Sequence, residues 1–382
     1  MRPVFPMKMA AVTIADASDT SGEGFDNPPV DVSVAIPAFC LPGHPETNYV
    51  LDVSNDGRHV ATVSGRGWVF VWSLFTGKMV FRCHKSGAIQ RDEVTCGAFS
   101  NDAMLLCTGN LRGRVTVWGV WSHQVECEFV TFAYMKWVAW SPQDTLLVGG
   151  TVDGIVWRWE LPGGECKTMQ GSFTTCGDGR ILADGRRAAA VYDDGSVGIW
   201  DLQRARLLHG MMGPSRVHEC PVTSLDVRGE LVATGADTVH VFHAGTGRVV
   251  ATFPRIERAP STDGDDNYVG TLSLESQQET IAAGTYSGVL AVMDLPSLSE
   301  KQRYVHPGAI SRAVWGGQHL VFTGCLDGFV RVFDIRAEGR DPVARWKCST
   351  SGVNSLALTP DGLSFVTSSR GGCRIYRFAM LA

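Results

Sequence analysis

One bulky side chain recurs along the chain, at Trp72, Trp118, Trp159, Trp200, Phe242, Met293, Phe333 and Tyr376, at intervals of 46, 41, 41, 42, 51, 40 and 43 residues. A period of about 40 to 45 residues is the length of one four-stranded propeller blade, and no other feature restricts the fold as much. Within each interval, short apolar and polar alternations are separated by Gly-bearing turns, which argues for strands rather than helices. In the second interval the alternation predicts strands over 94–99, 105–108, 115–118 and 125–129, with Asn101-Asp102 and Arg112-Gly113 as turns between them. The expected class is therefore all-β, and the 43 glycines belong to turns rather than to a phosphate-cradling loop.

Eight intervals predict an eight-bladed ring. The last blade runs out of chain after three strands, so its fourth must come from elsewhere. Asp31–Ile36 alternates in the manner of a strand and is expected to pair with 373–378, closing the ring and covering a sheet edge that would otherwise invite aggregation. The predicted organisation is a propeller over 32–382 behind a leader, 1–31, whose Pro, Gly, Ser and Asp lack periodicity and read as disordered. A polar insertion, 254–267, accounts for the 51-residue interval.

Composition narrows the function. Net charge is −5 and the 34 Lys and Arg are scattered, which leaves no basic stripe for a phosphate backbone, so no direct nucleic-acid ligand is expected. Eleven cysteines occur without a CxxC pair and mostly within apolar runs, as expected of free thiols in a reducing compartment, cytosol or nucleus. No apolar run has the length of a membrane span, so no membrane insertion is expected. The sequence contains no HxH or HExxH metal spacing, no GxSxG elbow and no Walker loop, so the reading is of a monomeric non-enzyme without metal or cofactor.

Trp200-Asp201 is a full WD dipeptide; Phe333-Asp334 and Met293-Asp294 keep the acid, and Gly43-His44 opens the first unit. Asp153-Gly154, Asp194-Gly195 and Asp327-Gly328 fill the turn before the third strand. These residues resemble the WD-repeat family, and the resemblance implies that His44, Asp153, Asp194, Trp200, Asp201, Asp327 and Asp334 are structural, with each turn Asp hydrogen-bonding a His, a Ser or Thr and the Trp. Ser73, Gly119, Glu160, His243 and Arg377 depart from the pattern where the terminal Asp is expected.

The runs VTCGAFSNDAMLLCTG (94–109), MKWVAWSP (135–142), GTVDGIVWRWELPGGECKTMQG (150–171), DGRRAAAVYDDGSVGIWDL (184–202) and CLDGFVRVFDIR (325–336) resemble the family of the angio-associated migratory cell protein. That family is similar to a fungal WD-repeat protein that acts as a dedicated chaperone for one large-subunit ribosomal protein, receiving the client's basic N-terminal segment on an acidic top face. The resemblance implies capture of a nascent basic ribosomal protein during ribosome assembly. It also implies an alternative, a scaffold in cell migration and small-GTPase signalling. Phe333-Asp334-Ile335-Arg336 further resembles the WDxR box of substrate receptors for cullin-type ubiquitin ligases.

In a propeller, the loops entering each inner strand and the turns before each third strand surround one opening, where rigid strands fix their position. Asp92, Glu93 and Asp193 are the candidate partners for client Arg or Lys. Tyr134, Trp137, Tyr192, Tyr268 and Tyr286 are the candidate stacking or apolar anchors. Arg66, Arg112 and Arg370 fall on the same face.

Overall fold

The alternation that marks each repeat is realised as four antiparallel strands. The computed structural model describes residues 30–41, 48–64, 68–83, 93–258, 267–275, 277, 279–317, 319–337 and 339–380; in these, thirty-two strands form eight sheets of four. Blades 1 to 8 occupy 48–83, 94–130, 135–170, 176–211, 224–253, 269–305, 310–347 and 355–380. Seven sheets take their strands in chain order; the eighth borrows its outermost strand, Val30–Leu41, from before blade 1.

That borrowed strand pairs antiparallel with Gly372–Met380, from Val30 opposite Met380 to Leu41 opposite Cys373. It is longer at both ends than the alternation suggested, because two register shifts, at Asp31/Ala35 and Pro37/Phe39, interrupt the simple period. Pro37 is tolerated because the strand lies on the outside of its sheet, where no further ladder needs its missing N–H.

The core is divided among the blade interfaces, one apolar cluster between each pair of neighbours. Trp137, Val148, Val156, Met169, Cys176, Tyr192 and Trp200 fill the space between blades 3 and 4. Leu41, Val50, Val60, Phe70 and Trp72 do so between blades 1 and 8, against Val366, Cys373 and Ile375. All eight repeating bulky residues are buried, which explains their period: each blade needs one large side chain to fill the wedge against its neighbour.

Inner strands have a ladder on one side only, so their other edge faces the axis with unpaired backbone groups. Side chains of adjacent blades supply the partners. Ser355 Oγ accepts from Val50 N (3.0 Å), Asp52 Oδ2 from Phe99 N (2.7 Å), Asp226 Oδ2 from Leu274 N (2.7 Å) and Thr271 Oγ1 from Ala313 N (3.1 Å). Thr95 and Thr223 hydroxyls donate to the carbonyls of Met135 (2.7 Å) and Val269 (2.6 Å). The bond from Val50 to Ser355 joins the first blade to the last.

The same inner strands carry charge. Arg180 pairs with Asp178 at 2.8 Å. Desolvation pushes Asp52 up to about 8 despite its two backbone hydrogen bonds and the attraction of Arg180. Desolvation also raises Asp226, and together with repulsion from Arg180 it lowers Arg312 to about 10.

Candidate functional site

The turns at one end of the ring are held by backbone bonds that leave their side chains outward. In blades 3 and 4 the entering loops are 131–134 and 171–175, and the turns before the third strands are 151–154 and 192–195. Val152 N donates to Tyr134 O (3.0 Å), and Asp193 N donates to Thr175 O (3.0 Å). Thr131 Oγ1 donates to Gly113 O (3.0 Å) and Ala133 O (2.8 Å), while Ser172 Oγ donates to Asp194 Oδ2 (2.6 Å). Loop and turn therefore alternate around the rim in a fixed order, with Asp153 between the two loops.

Glycine makes this stacking possible. Gly154 and Gly195 have φ of +82° and +87°, and a methyl group on either would run into the carbonyl oxygen of Ser172 or His218. Both the backbone conformation and the close approach require a residue without a side chain. Asp-Gly in these turns is thus explained by packing of the neighbouring loop.

Three aromatic rings stand out from this frame. Phe132 is 91% exposed, Phe173 90% and Tyr134 54%. Phe132 also has φ +62°, a left-handed backbone that bulky residues rarely adopt. Beside them Asp153 and Asp193 are exposed, and neither is in an ion pair among the described residues. Burial draws Asp194 upward, but hydrogen bonds from Ser172 Oγ and Ser196 N outweigh it and hold the carboxyl below its usual range. The four turns contain three carboxylates and no Lys or Arg. Glu93 is exposed at the entry to blade 2, while Arg112 and Arg370 are exposed in the turns of blades 2 and 8. Exposed acids also stand elsewhere, Glu93 in blade 2 with Arg112 and Glu219 with Arg216 at the entry to blade 5, so what sets blades 3 and 4 apart is acid without a basic residue in the same turns.

Two of the candidate anchors are not on this surface. Trp137 and Tyr192 have no exposed area and belong to the wall between blades 3 and 4. A register shift between Met135 and Trp137 turns the indole inward, where its Nε1 meets Cys176 Sγ at 3.3 Å; Tyr192 lies beneath Gly171. Tyr268 is half-buried at the entry to blade 6, and Tyr286 is 37% exposed on the same blade. Asp92 and His44 lie outside the described residues, as do Arg66 and 259–266 of the insertion. Phe132 and Phe173 were absent from the sequence candidates. Their signature was available: two bulky aromatics 41 residues apart, each directly after a small hydroxyl residue, Thr131 and Ser172.

At Asp153 and Asp327 local bonds stand where the resemblance implied a network with a His and the Trp, whereas Asp194 accepts from Ser172 in the neighbouring loop. Asp153 Oδ1 accepts from Thr151 Oγ1 (2.5 Å), and Asp327 accepts from Phe329 N (3.0 Å) and pairs with Arg331 (2.5 Å). Donors two to four residues away satisfy these carboxylates before any His can. Threonine serves the His and Trp instead. His218 and His306 Nε2 lie 2.8 Å from Thr234 and Thr323 Oγ1, and the indoles of Trp72 and Trp118 donate to Thr62 (2.8 Å) and Thr108 (3.0 Å). Trp200 is buried at the third-strand position, Asp201 binds Arg204 at 2.9 Å and Asp334 binds Arg336 at 2.8 Å. Among the described residues, no group of three or more His, Cys, Asp or Glu is placed to hold a metal ion, and no helix is long and apolar enough to cross a membrane.

Residues 36–73 and 340–377 match the model of the WD domain, G-beta repeat. The human angio-associated migratory cell protein is 32% identical over 361 residues, which cover 91% of this chain and 79% of that relative. Among solved structures, Saccharomyces cerevisiae Sqt1 has a TM-score of 0.76 at 16% identity, covering 92% of this chain and 99% of that one. Chaetomium thermophilum Sqt1 bound to the N-terminus of the ribosomal protein L10 has a TM-score of 0.75 at 18% identity, covering 90% and 99%. At these identities the likeness to Sqt1 is one of fold.

Proposed function

Because the chain belongs to the WD-repeat family of the angio-associated migratory cell protein, we propose that it is a non-enzymatic protein-binding propeller that captures a basic segment of a nascent large-subunit ribosomal protein in the cytosol. The observation carrying this reading is the sector of blades 3 and 4, where exposed Asp153 and Asp193 stand beside exposed aromatic rings with no compensating Lys or Arg in the same turns. A rim of this charge would steer a strongly basic client segment in and fix its register. The fold shared with an Sqt1 structure holding the N-terminus of ribosomal protein L10 supports the same client class.

The test is affinity capture of the full chain from gently lysed cells, beside the variant carrying Glu93→Lys and Asp193→Lys. Expected is recovery of a large-subunit ribosomal protein by the unaltered chain and its loss from the variant. The melt should barely change, since exposed substitutions of this kind usually shift stability by under about 0.5 kcal/mol. Recovery of a cullin complex without any ribosomal protein would replace this reading with that of a ligase adaptor.

A further inference from the structure

We propose that Phe132 and Phe173 form an aromatic clamp, and that the segment bound on blades 3 and 4 must present a large apolar or aromatic side chain flanked by Arg or Lys. The inference rests on the capture reading above and specifies the chemistry of the partner at that site.

Three observations converge. Both phenyl rings are about nine-tenths exposed, in a molecule whose other large side chains mostly fill blade interfaces. Leaving one such ring in water is ordinary; two at equivalent positions of neighbouring blades form a repeated feature. Phe132 moreover keeps a left-handed backbone, at φ +62°, held by the hydrogen bonds of Thr131 Oγ1 to Gly113 and Ala133. A strained bulky residue with no packing of its own points to a use outside the free molecule.

The third observation is the order of the rim. Because Val152 N binds Tyr134 O and Asp193 N binds Thr175 O, the sequence around the ring is Phe132 loop, Asp153 turn, Phe173 loop, Asp193 turn. Apolar and acidic positions alternate. A peptide laid across them meets a ring, a carboxylate, a ring and a carboxylate in turn, which complements a chain in which basic residues alternate with bulky ones. The carboxylates supply steering and register, while desolvation of the rings supplies contact that salt does not screen.

The probe is a pair of short fluorescent synthetic peptides with equal numbers of arginines, one interspersed with tyrosine and one with serine, titrated into the full chain. Expected is binding of the tyrosine peptide about tenfold tighter than the serine peptide, with the excess surviving high salt. A double variant, Phe132→Asn with Phe173→Ser, should bring the two peptides to equal affinity. Asn suits the left-handed backbone, so this variant should melt no lower than the parent. A second variant, Asp153→Asn with Asp193→Asn, should weaken both peptides and flatten their salt dependence while keeping the preference for tyrosine. Equal affinity of the two peptides for the unaltered chain, or an unchanged preference in the phenylalanine variant, would overturn the clamp. If the phenylalanine variant still captures the ribosomal client while the aspartate variant does not, the clamp is wrong and the capture reading stands. If the peptides behave as expected but no ribosomal protein is captured, the clamp stands and the client must be sought among other basic proteins.

Discussion

Single residues decide how this ring responds to pH, and they pull in opposite directions. Asp52 has a folded value near 8 because desolvation outweighs its backbone hydrogen bonds. Its contribution is therefore full below the unfolded value near 4 and is lost as pH rises through about 8. Asp52→Asn, which cannot ionise but gives up one of the two acceptors that serve Val53 N and Phe99 N, should gain on the parent in melting temperature as pH rises from about 5 to about 8.5. A constant difference across that range, read by scanning calorimetry, would refute the assignment. His218 and His306 act the other way, since burial lowers both to about 4. Their contribution is complete above the unfolded value near 6.5 and is lost as pH falls from there to about 4, on the order of 3 kcal/mol for each buried ring. Replacing both with glutamine should flatten the acid side of the stability curve.

Residues were also where reading the sequence was least secure. Tyr192 and Trp137 read as rim aromatics because they stand at the ends of predicted strands, yet strand-end position does not fix the side of the sheet. The bulge at Met135/Trp137 shifts the register, and a shift of one position moves a side chain from surface to core.

At the scale of elements, the borrowed strand and the tight turns carry the consequences. A chain beginning at residue 30 should melt as the full chain does. One beginning at residue 42 leaves the edge of Gly372–Met380 open and strips Leu41 and Phe39 from the contact with blade 1, so it should form oligomers in size-exclusion chromatography. Equal monomeric behaviour of the two would show that the strand is dispensable. In the turns, Gly195→Ala meets a backbone oxygen, that of His218, which cannot rotate away, and also demands a left-handed alanine. A loss of about 2 kcal/mol or more is expected in denaturant unfolding. Strand positions were legible because period-2 alternation follows from the pleat. The far ends of Val30–Leu41 were not, because two irregularities break that period.

For the whole molecule, stability is shared between neighbours. Each apolar cluster belongs to two blades, and the inner strands are joined from one blade to the next by side-chain bonds. A closed ring has no terminal repeat from which to fray, so calorimetry should give one cooperative transition. Trp200→Ala, which empties part of the wall between blades 3 and 4, should lower that single transition by roughly 3 to 5 kcal/mol rather than split it. A separate early transition in the variant would show that blades unfold independently.

The sequence by itself determined the all-β class, the count of eight blades and the need for a strand from the N-terminal side, because period, turn chemistry and an incomplete last repeat are local properties written in the letters. Of the candidates it offered, Asp193 and Tyr134 are exposed. Only the tertiary structure decided which aromatics face solvent, that the turn carboxylates bind donors in their own turn or in the neighbouring loop, and that blades 3 and 4 hold acids and rings without a basic residue among their four turns. Those outcomes depend on register shifts and on contacts between residues some 40 positions apart, as between Trp137 and Cys176, where packing across a blade interface overrides what either repeat would suggest alone.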